Sequence, residues 1–331
     1  HEANHWYSTL GHGVVMKPNS EITLIDQQSG LLFNHVYSLI PNTGSGLWVG
    51  YQNGRLQQWE LNDTSSIALG KHSYNRLIDI VLDEYLWVAT DKALFVLNPK
   101  NYQLKKEYPG SIKCLQILGD SVYFGTSNGL YSIGKKDLSS TNRLFNQRTI
   151  SVLARSHSDI LIGTNNGLMS YRNSEVKPYD QDNAPDILHG RVRSMVGLGD
   201  TAALFATAEG LVYQKNDIYE LWTSEDIGIS SDVCHLLKKE NDSSIWLGTN
   251  NGLDRLLFRE GISRPLVDNF SVNDGLLSNY INDIAFADTG VCVGTDAGIS
   301  ILPRFHRKKH IAPQGYLLGI RINDHDTSLQ S

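Results

Sequence analysis

The stretch Ser244-Ile245-Trp246-Leu247-Gly248-Thr249-Asn250-Asn251-Gly252-Leu253 constrains this chain most, because its pattern of an apolar run, Gly-Thr, two polar residues and Gly-Leu returns throughout. Aligned on the first glycine, the returns centre on Gly50, Ala89, Gly125, Gly163, Ala206, Gly248 and Gly294, at spacings of 39, 36, 38, 43, 42 and 46 residues. A period of roughly 40 residues belongs to propeller blades or helical arrays. Residue chemistry decides between them. Each motif reads as a β-hairpin: a run rich in Trp, Val, Ile and Phe, a turn of Asn, Asp and Gly that tolerates positive φ, and a returning strand opened by Gly-Leu.

Upstream of each hairpin lies a second apolar segment, beginning at Val36, Ile78, Ile112, Ile150, Val192, Val233 and Ile281, with a further apolar residue three positions on at Leu39, Val81, Leu115, Leu153, Met195, Leu236 and Ile284. These segments read as inner strands buried between neighbours. A weaker strand follows each hairpin, as in Ile218–Trp222. Four antiparallel strands per repeat, seven times over, predict an all-β, seven-bladed β-propeller. Trp6–Thr9 and Gly13–Met16 imitate one more hairpin, which leaves an eighth blade open. The strand Ile22 to Ile25 is expected to pair near the last blade and close the ring.

Composition excludes several alternatives. The formal net charge of −6 argues against duplex nucleic acid, which needs a concentrated positive face. The one basic run, Arg304 to His310, reads as a solvated edge or linker. No apolar run approaches the roughly 20 residues that span a bilayer. Cys114, Cys234 and Cys292 fall on strands of three different blades and are expected to be free, buried and small.

The repeats resemble a known family. The combination Asn273-Asp274-Gly275-Leu276-Leu277-Ser278-Asn279-Tyr280-Ile281-Asn282-Asp283-Ile284 with Val293-Gly294-Thr295-Asp296-Ala297-Gly298-Ile299, and Ile245 to Leu253, closely resembles the two-component regulator propeller repeat over about 300 residues. The tail from Pro313 to Asp324 looks like the opening strand of the three-Tyr immunoglobulin-like domain that follows such propellers. The resemblance implies residues 1–33 as a partial blade or ring-closing strands, 34–310 as the propeller, and 311–331 as the start of that C-terminal domain. It also implies a periplasmic position in an inner-membrane sensor, commonly a histidine kinase or hybrid kinase. Many members of the family respond to oligosaccharides, so the partners implied are an oligosaccharide, the adjoining propeller and three-Tyr domains, and a second copy as a homodimer.

A search for chemistry finds no HExxH, CxxC pair, Gly-x-Ser-x-Gly or phosphate-binding glycine loop. No catalytic set, cofactor or metal site is expected. His235, Asp79 and Asp283 sit on inner strands, where hydrogen bonding at the channel wall is the expected role. Trp48, Trp87 and Trp246 share one repeat position and read as packing between blades, whereas Trp59 and Trp222 lie outside it and are candidates for the surface. In a four-stranded blade the hairpin turn and the loop entering the next blade emerge on one face, around the channel mouth. That face gathers the candidate ligand-binding residues Asn34, His35, Tyr51, Arg76, Arg148, Arg191 and Asn279. No turn needs the three arginines, which suit an anionic or hydroxyl-rich ligand. The reading is a noncatalytic extracytoplasmic sensor propeller. A protein-interaction or dimerisation scaffold is the alternative, and a lyase or hydrolase the third.

Overall fold

The structure, a computed structural model, describes residues 22–42, 46–52, 54–60, 63–69, 76–180, 183–199, 201–259 and 264–303, with the short strands His5–Thr9, Gly13–Lys17, Ile320–Ile322 and His325–Thr327. The expected basic run and the opening of the C-terminal tail lie outside the described residues.

Seven four-stranded antiparallel sheets form the blades of a β-propeller. The inner strands are Val36–Pro41, Leu77–Leu82, Ile112–Leu118, Ser151–Ser156, Ser194–Leu198, Cys234–Asn241 and Ile281–Ala287. Each lies beside the inner strands of the two neighbouring blades, and the last lies against the first. Blade seven obtains its outer strand from the other end of the chain: Thr23–Ile25 pairs antiparallel with Ile299–Leu302, in the register Thr23 to Ile301 and Ile25 to Ile299. Seven blades are complete without the hairpin His5–Thr9 and Gly13–Lys17. That hairpin belongs to a second compact unit, residues 1–19 and 307–331, which also holds the antiparallel pair Ile320–Ile322 and His325–Thr327.

The repeated motif has a local physical cause. In blade six the Thr249 hydroxyl donates to the carbonyl of Gly252 at 2.8 Å and accepts from the Asn251 amide at 3.1 Å, closing the turn from inside. Gly252 has φ of 140°, a region open to glycine and strained for other residues. Thr90, Thr126, Thr164, Thr207 and Thr295 cap their own hairpins in the same manner. The motif glycine acts between blades instead. A Cβ on Gly163 would fall 2.1 Å from Ser151 Oγ and 2.7 Å from the Val192 carbonyl. Its bareness lets the next blade approach.

The core is divided accordingly. Among the described residues, seven apolar clusters fill the seven gaps between blades. The shared tryptophan position packs forward: Trp48 against Leu77 and Ile80, Trp87 against Ile112 and Leu115, Trp246 against Ile281 and Ile284. Trp59 and Trp222 are buried too, correcting the surface expectation. Trp59 Nε1 donates to the Ser29 carbonyl at 3.1 Å, and Trp222 stacks on Tyr213 at 4.6 Å while donating to Glu220. The loop entering blade one covers Trp59 and the loop entering blade six covers Trp222, so each large ring finds a packing partner outside the shared position.

The inner strands hold one further correction. In blades two and six the buried pair is Leu77 with Ile80 and Cys234 with Leu237, one residue away from the apolar spacing read in the sequence. The inner strands also carry a bulge that the apolar spacing does not show. In five blades the pairing skips a residue directly after the first strand position, at Tyr37, Ile78, Lys113, His235 and Asn282. A bulge re-aims its extra side chain, and here that side chain turns into the central channel. The three cysteines are free, with Cys234 and Cys292 buried and Cys114 partly so.

Candidate functional site

The inner strands enclose a cavity of about 780 Å³ running along the propeller axis. Its wall is built from the bulge outward. Tyr37, Ile78, Lys113, Ile150, Arg193, His235 and Asn282, one from each blade and at equivalent positions, ring the end nearest the hairpin turns. The next residue along clasps the neighbouring blade. Asp283 Oδ2 accepts from the Leu39 amide at 2.8 Å and from Ser38 Oγ at 3.2 Å, Ser194 Oγ accepts from the Leu237 amide at 3.0 Å, and Ser151 Oγ donates to the Val192 carbonyl at 2.8 Å. Asp79 accepts from the amides of Ile80 and Leu115. The wall roles expected for Asp79 and Asp283 are thus observed.

These two carboxylates share a partner that sequence reading missed. Lys238 Nζ, from blade six, lies 3.0 Å from Asp283 Oδ1. Burial pulls this lysine down, but the Asp283 and Asp79 charges prevail and hold it above the usual lysine range. Burial pushes the Asp79 carboxyl up to about 7, against the Lys238 charge, with Asp283 adding repulsion. The three residues come from blades two, six and seven, so their convergence exists only once the ring is closed.

The turn-face mouth is divided by charge. Arg76, Arg148 and Arg191 sit at equivalent positions just before their inner strands and are exposed. Lys113 and Arg193 stand deeper, on the wall itself. Desolvation, then the Arg148 and Arg76 charges, lower Lys113, with Asp91 opposing. Desolvation, then Arg193 and Arg148, lower Arg191. The five cations are therefore close enough to feel one another. Among the described residues none of them has a carboxylate within ion-pairing distance. Arg193 Nε and Asn282 Nδ2 are buried donors without a hydrogen-bond partner among the described residues.

The remaining arc, from blades six, seven and one, is aromatic. His35 stacks on Tyr37 at 4.6 Å, and His235 stacks on Tyr280 at 5.4 Å. His235 Nε2 donates to the Ile281 carbonyl at 2.5 Å, and desolvation lowers its pKa, with this hydrogen bond opposing and the Arg193 charge lowering it further. Tyr280 is 48% exposed.

Three candidates from the sequence have side-chain partners within the protein. Tyr51 is fully buried, its hydroxyl donating to Gln57 and its ring edge-on to Phe33. It occupies the place where the other six hairpins have their capping threonine, so it points into the blade rather than out of the turn. Asn34 Oδ1 accepts from the Gln27 amide at 2.9 Å, and Asn279 Oδ1 from the Val272 amide at 2.8 Å. Both oxygens brace matching loops. Lys113 and Arg193 were missed in turn, although a polar residue interrupting an apolar inner strand was the available signal.

Among the described residues, no group of three or more His, Cys, Asp and Glu is arranged to hold a metal ion, and no helix is long and apolar enough to cross a membrane.

No protein-family model and no curated protein matches the chain. Solved structures do. The extracellular domain of the putative hybrid two component system BT3049 from B. thetaiotaomicron aligns with a TM-score of 0.64 and 16% identity, covering 84% of this chain. That of the putative hybrid two component system BT4673 from the same organism aligns at 0.66 and 19% identity over 85%. PorZ, a surface component of the type-IX secretion system of Porphyromonas gingivalis, aligns at 0.62 and 14% identity over 88%. The likeness is one of fold. This chain spans 41%, 39% and 49% of those chains respectively.

Proposed function

We propose that this chain is the ligand-binding propeller of an extracytoplasmic sensor of the two-component type, and that it binds an oligosaccharide at the turn-face mouth without altering it. The carrying observation is the arc Arg76, Lys113, Arg148, Arg191 and Arg193: three basic side chains on the rim and two on the wall below it, with no carboxylate in ion-pairing reach among the described residues. Cations held together with less counter-charge than their number are costly to fold around, and a ligand that supplies acceptors offsets that cost. The repeat motifs and the shared fold with extracellular sensor domains support the sensor reading. On the same reading the C-terminal tail opens a three-Tyr domain, the propeller lies in the periplasm, and signal output belongs to another part of a larger protein.

Calorimetry of the whole chain against a glycan panel tests this. The double variant Arg148→Ala, Arg191→Ala is expected to weaken any binding at least about tenfold, since each charge-assisted contact contributes roughly 1.5–3 kcal/mol. Full binding by the double variant would move the site elsewhere, and turnover of a glycan would reject the noncatalytic reading. The scaffold reading has one observation of its own: Ile218, Leu221 and Leu266 are exposed on the outer strands of blades five and six. Dimerisation in solution with no glycan bound would favour it.

A further inference from the structure

We infer that the ligand of this mouth is an acidic oligosaccharide, whose carboxylate or sulfate group seats between Lys113, Arg148, Arg191 and Arg193 while a sugar ring lies against the aromatic arc. This rests on the proposed mouth site and narrows it.

Donor and acceptor inventory leads there first. Arginine and lysine side chains donate hydrogen bonds and accept none. Sites for neutral sugars mix acceptors with donors, because each hydroxyl does both. On this side of the mouth the four cations are donors, and the Arg193 Nε is buried without a partner among the described residues; across the channel, Asn282 Nδ2 on blade seven is a second such donor. The carboxylate that acts on Lys113, Asp91, lies on the hairpin turn of blade two at the rim. A ligand complementary to this wall must bring oxygen acceptors in excess, and an oxyanion is the densest source.

Electrostatics point the same way. Lys113 Nζ is held toward the cluster by its 2.7 Å bond to Ser111 Oγ. Arg193 lies on the channel wall, where water is restricted and a charge is less well screened. Bound oxyanion charge would relieve the mutual repulsion of Lys113, Arg148, Arg191 and Arg193 at one stroke.

The opposite arc accounts for the rest of the molecule. His35 on Tyr37 and His235 on Tyr280 present stacked rings from blades one, six and seven, across the mouth from the cations of blades three to five. Aromatic rings with one polar edge suit the apolar face of a pyranose whose hydroxyls point to water. A free inorganic anion would use the cations and leave this arc idle.

The test compares an oligogalacturonate with its methyl ester, which has the same rings and no charge, and adds a sulfated galactan oligosaccharide of equal length, all titrated into the whole chain. The inference expects the oligogalacturonate or the sulfated chain to bind at least about tenfold tighter than the ester, and to weaken severalfold when salt rises, as screened ion contacts do. Which of the two binds tighter identifies the oxyanion. Lys113→Gln and Arg193→Gln should each weaken the acidic ligand and leave the ester unchanged. Equal binding of acid and ester would overturn the inference while preserving the oligosaccharide site. Tight binding of phosphate or sulfate ions alone, with no gain from the attached sugar, would overturn the aromatic half. Absence of binding by both acidic ligands at millimolar concentration would overturn the inference, and absence of binding across the neutral panel as well would remove the site itself.

Discussion

Replacing Asp79 by Asn should change how the stability of this propeller depends on pH, in a direction the channel dictates. The Asp79 carboxyl is pushed up to about 7, first by loss of water, with Lys238 opposing and Asp283 adding repulsion. In the unfolded chain the same group titrates near about 3.9. Between about pH 4 and about pH 7 the folded state therefore holds a proton that the unfolded state has released, so this residue's contribution to stability falls as pH rises through that window and is flat above it. A shift of about three pH units corresponds to about 4 kcal/mol as an upper bound. The side chain lines the channel cavity, and screening there should leave about 1–2 kcal/mol. Asparagine keeps an oxygen for the Ile80 amide, now 2.9 Å from Asp79 Oδ1, and cannot ionise. Urea unfolding followed by tryptophan fluorescence, at steps from about pH 4.5 to about pH 8, should show Asp79→Asn gaining on the parent as pH rises. A difference between the two proteins that stays flat across the window would refute the desolvation argument. A variant that loses ground at high pH would show that attraction to Lys238 outweighs it.

Two further substitutions test the packing. Trp246→Ala removes a ring stacked on Phe270 at 5.8 Å and covered by Arg255 at 5.1 Å, and should cost about 3–5 kcal/mol in chemical denaturation, with no effect on melting counting against its role between blades. Gly163→Ala places a methyl where Ser151 Oγ meets the Val192 carbonyl and should lower stability by about 1–3 kcal/mol, whereas an unchanged midpoint would mean that blades four and five can separate without penalty.

Most of the ring was legible in the sequence because its determinants are local. A capping threonine three residues before a glycine, and a bare residue where the next blade approaches, recur at fixed places and require no knowledge of distant contacts. Burial of Trp48, Trp87 and Trp246 followed from their shared register. What escaped was set by geometry that a linear pattern does not record. The inner strands of blades two and six sit one residue off the apolar spacing, so Ile78, read as buried, faces the channel, and Leu77 is buried instead. Tyr51 took a threonine's place and went inward. At the candidate site Arg76, Arg148 and Arg191 were visible because no turn explains them, whereas Lys113 and Arg193 hid within apolar strands. Lys238 could not be joined to Asp79 and Asp283 from spacing, since three blades meet there only across a closed ring.

The strand that closes blade seven also sets a timetable. Ile25 and its partner Ile299 are 274 positions apart (299 less 25), so the closing strand must wait for all of that length to be made before it can pair. Blades one to six can each gather their four strands as they emerge, but Thr23–Ile25 stays unpaired until Ile299–Leu302 has been made. Pairing across so long a loop is slow, and an open strand edge is a template for wrong partners. The exposed Leu24, at 44%, lies on that strand, so a nascent ring offers both an edge and an apolar side chain while it waits. Moving Thr23–Ile25 to follow Leu302, by circular permutation, would place the closing strand beside its partner and turn the slowest pairing of the molecule into a local hairpin.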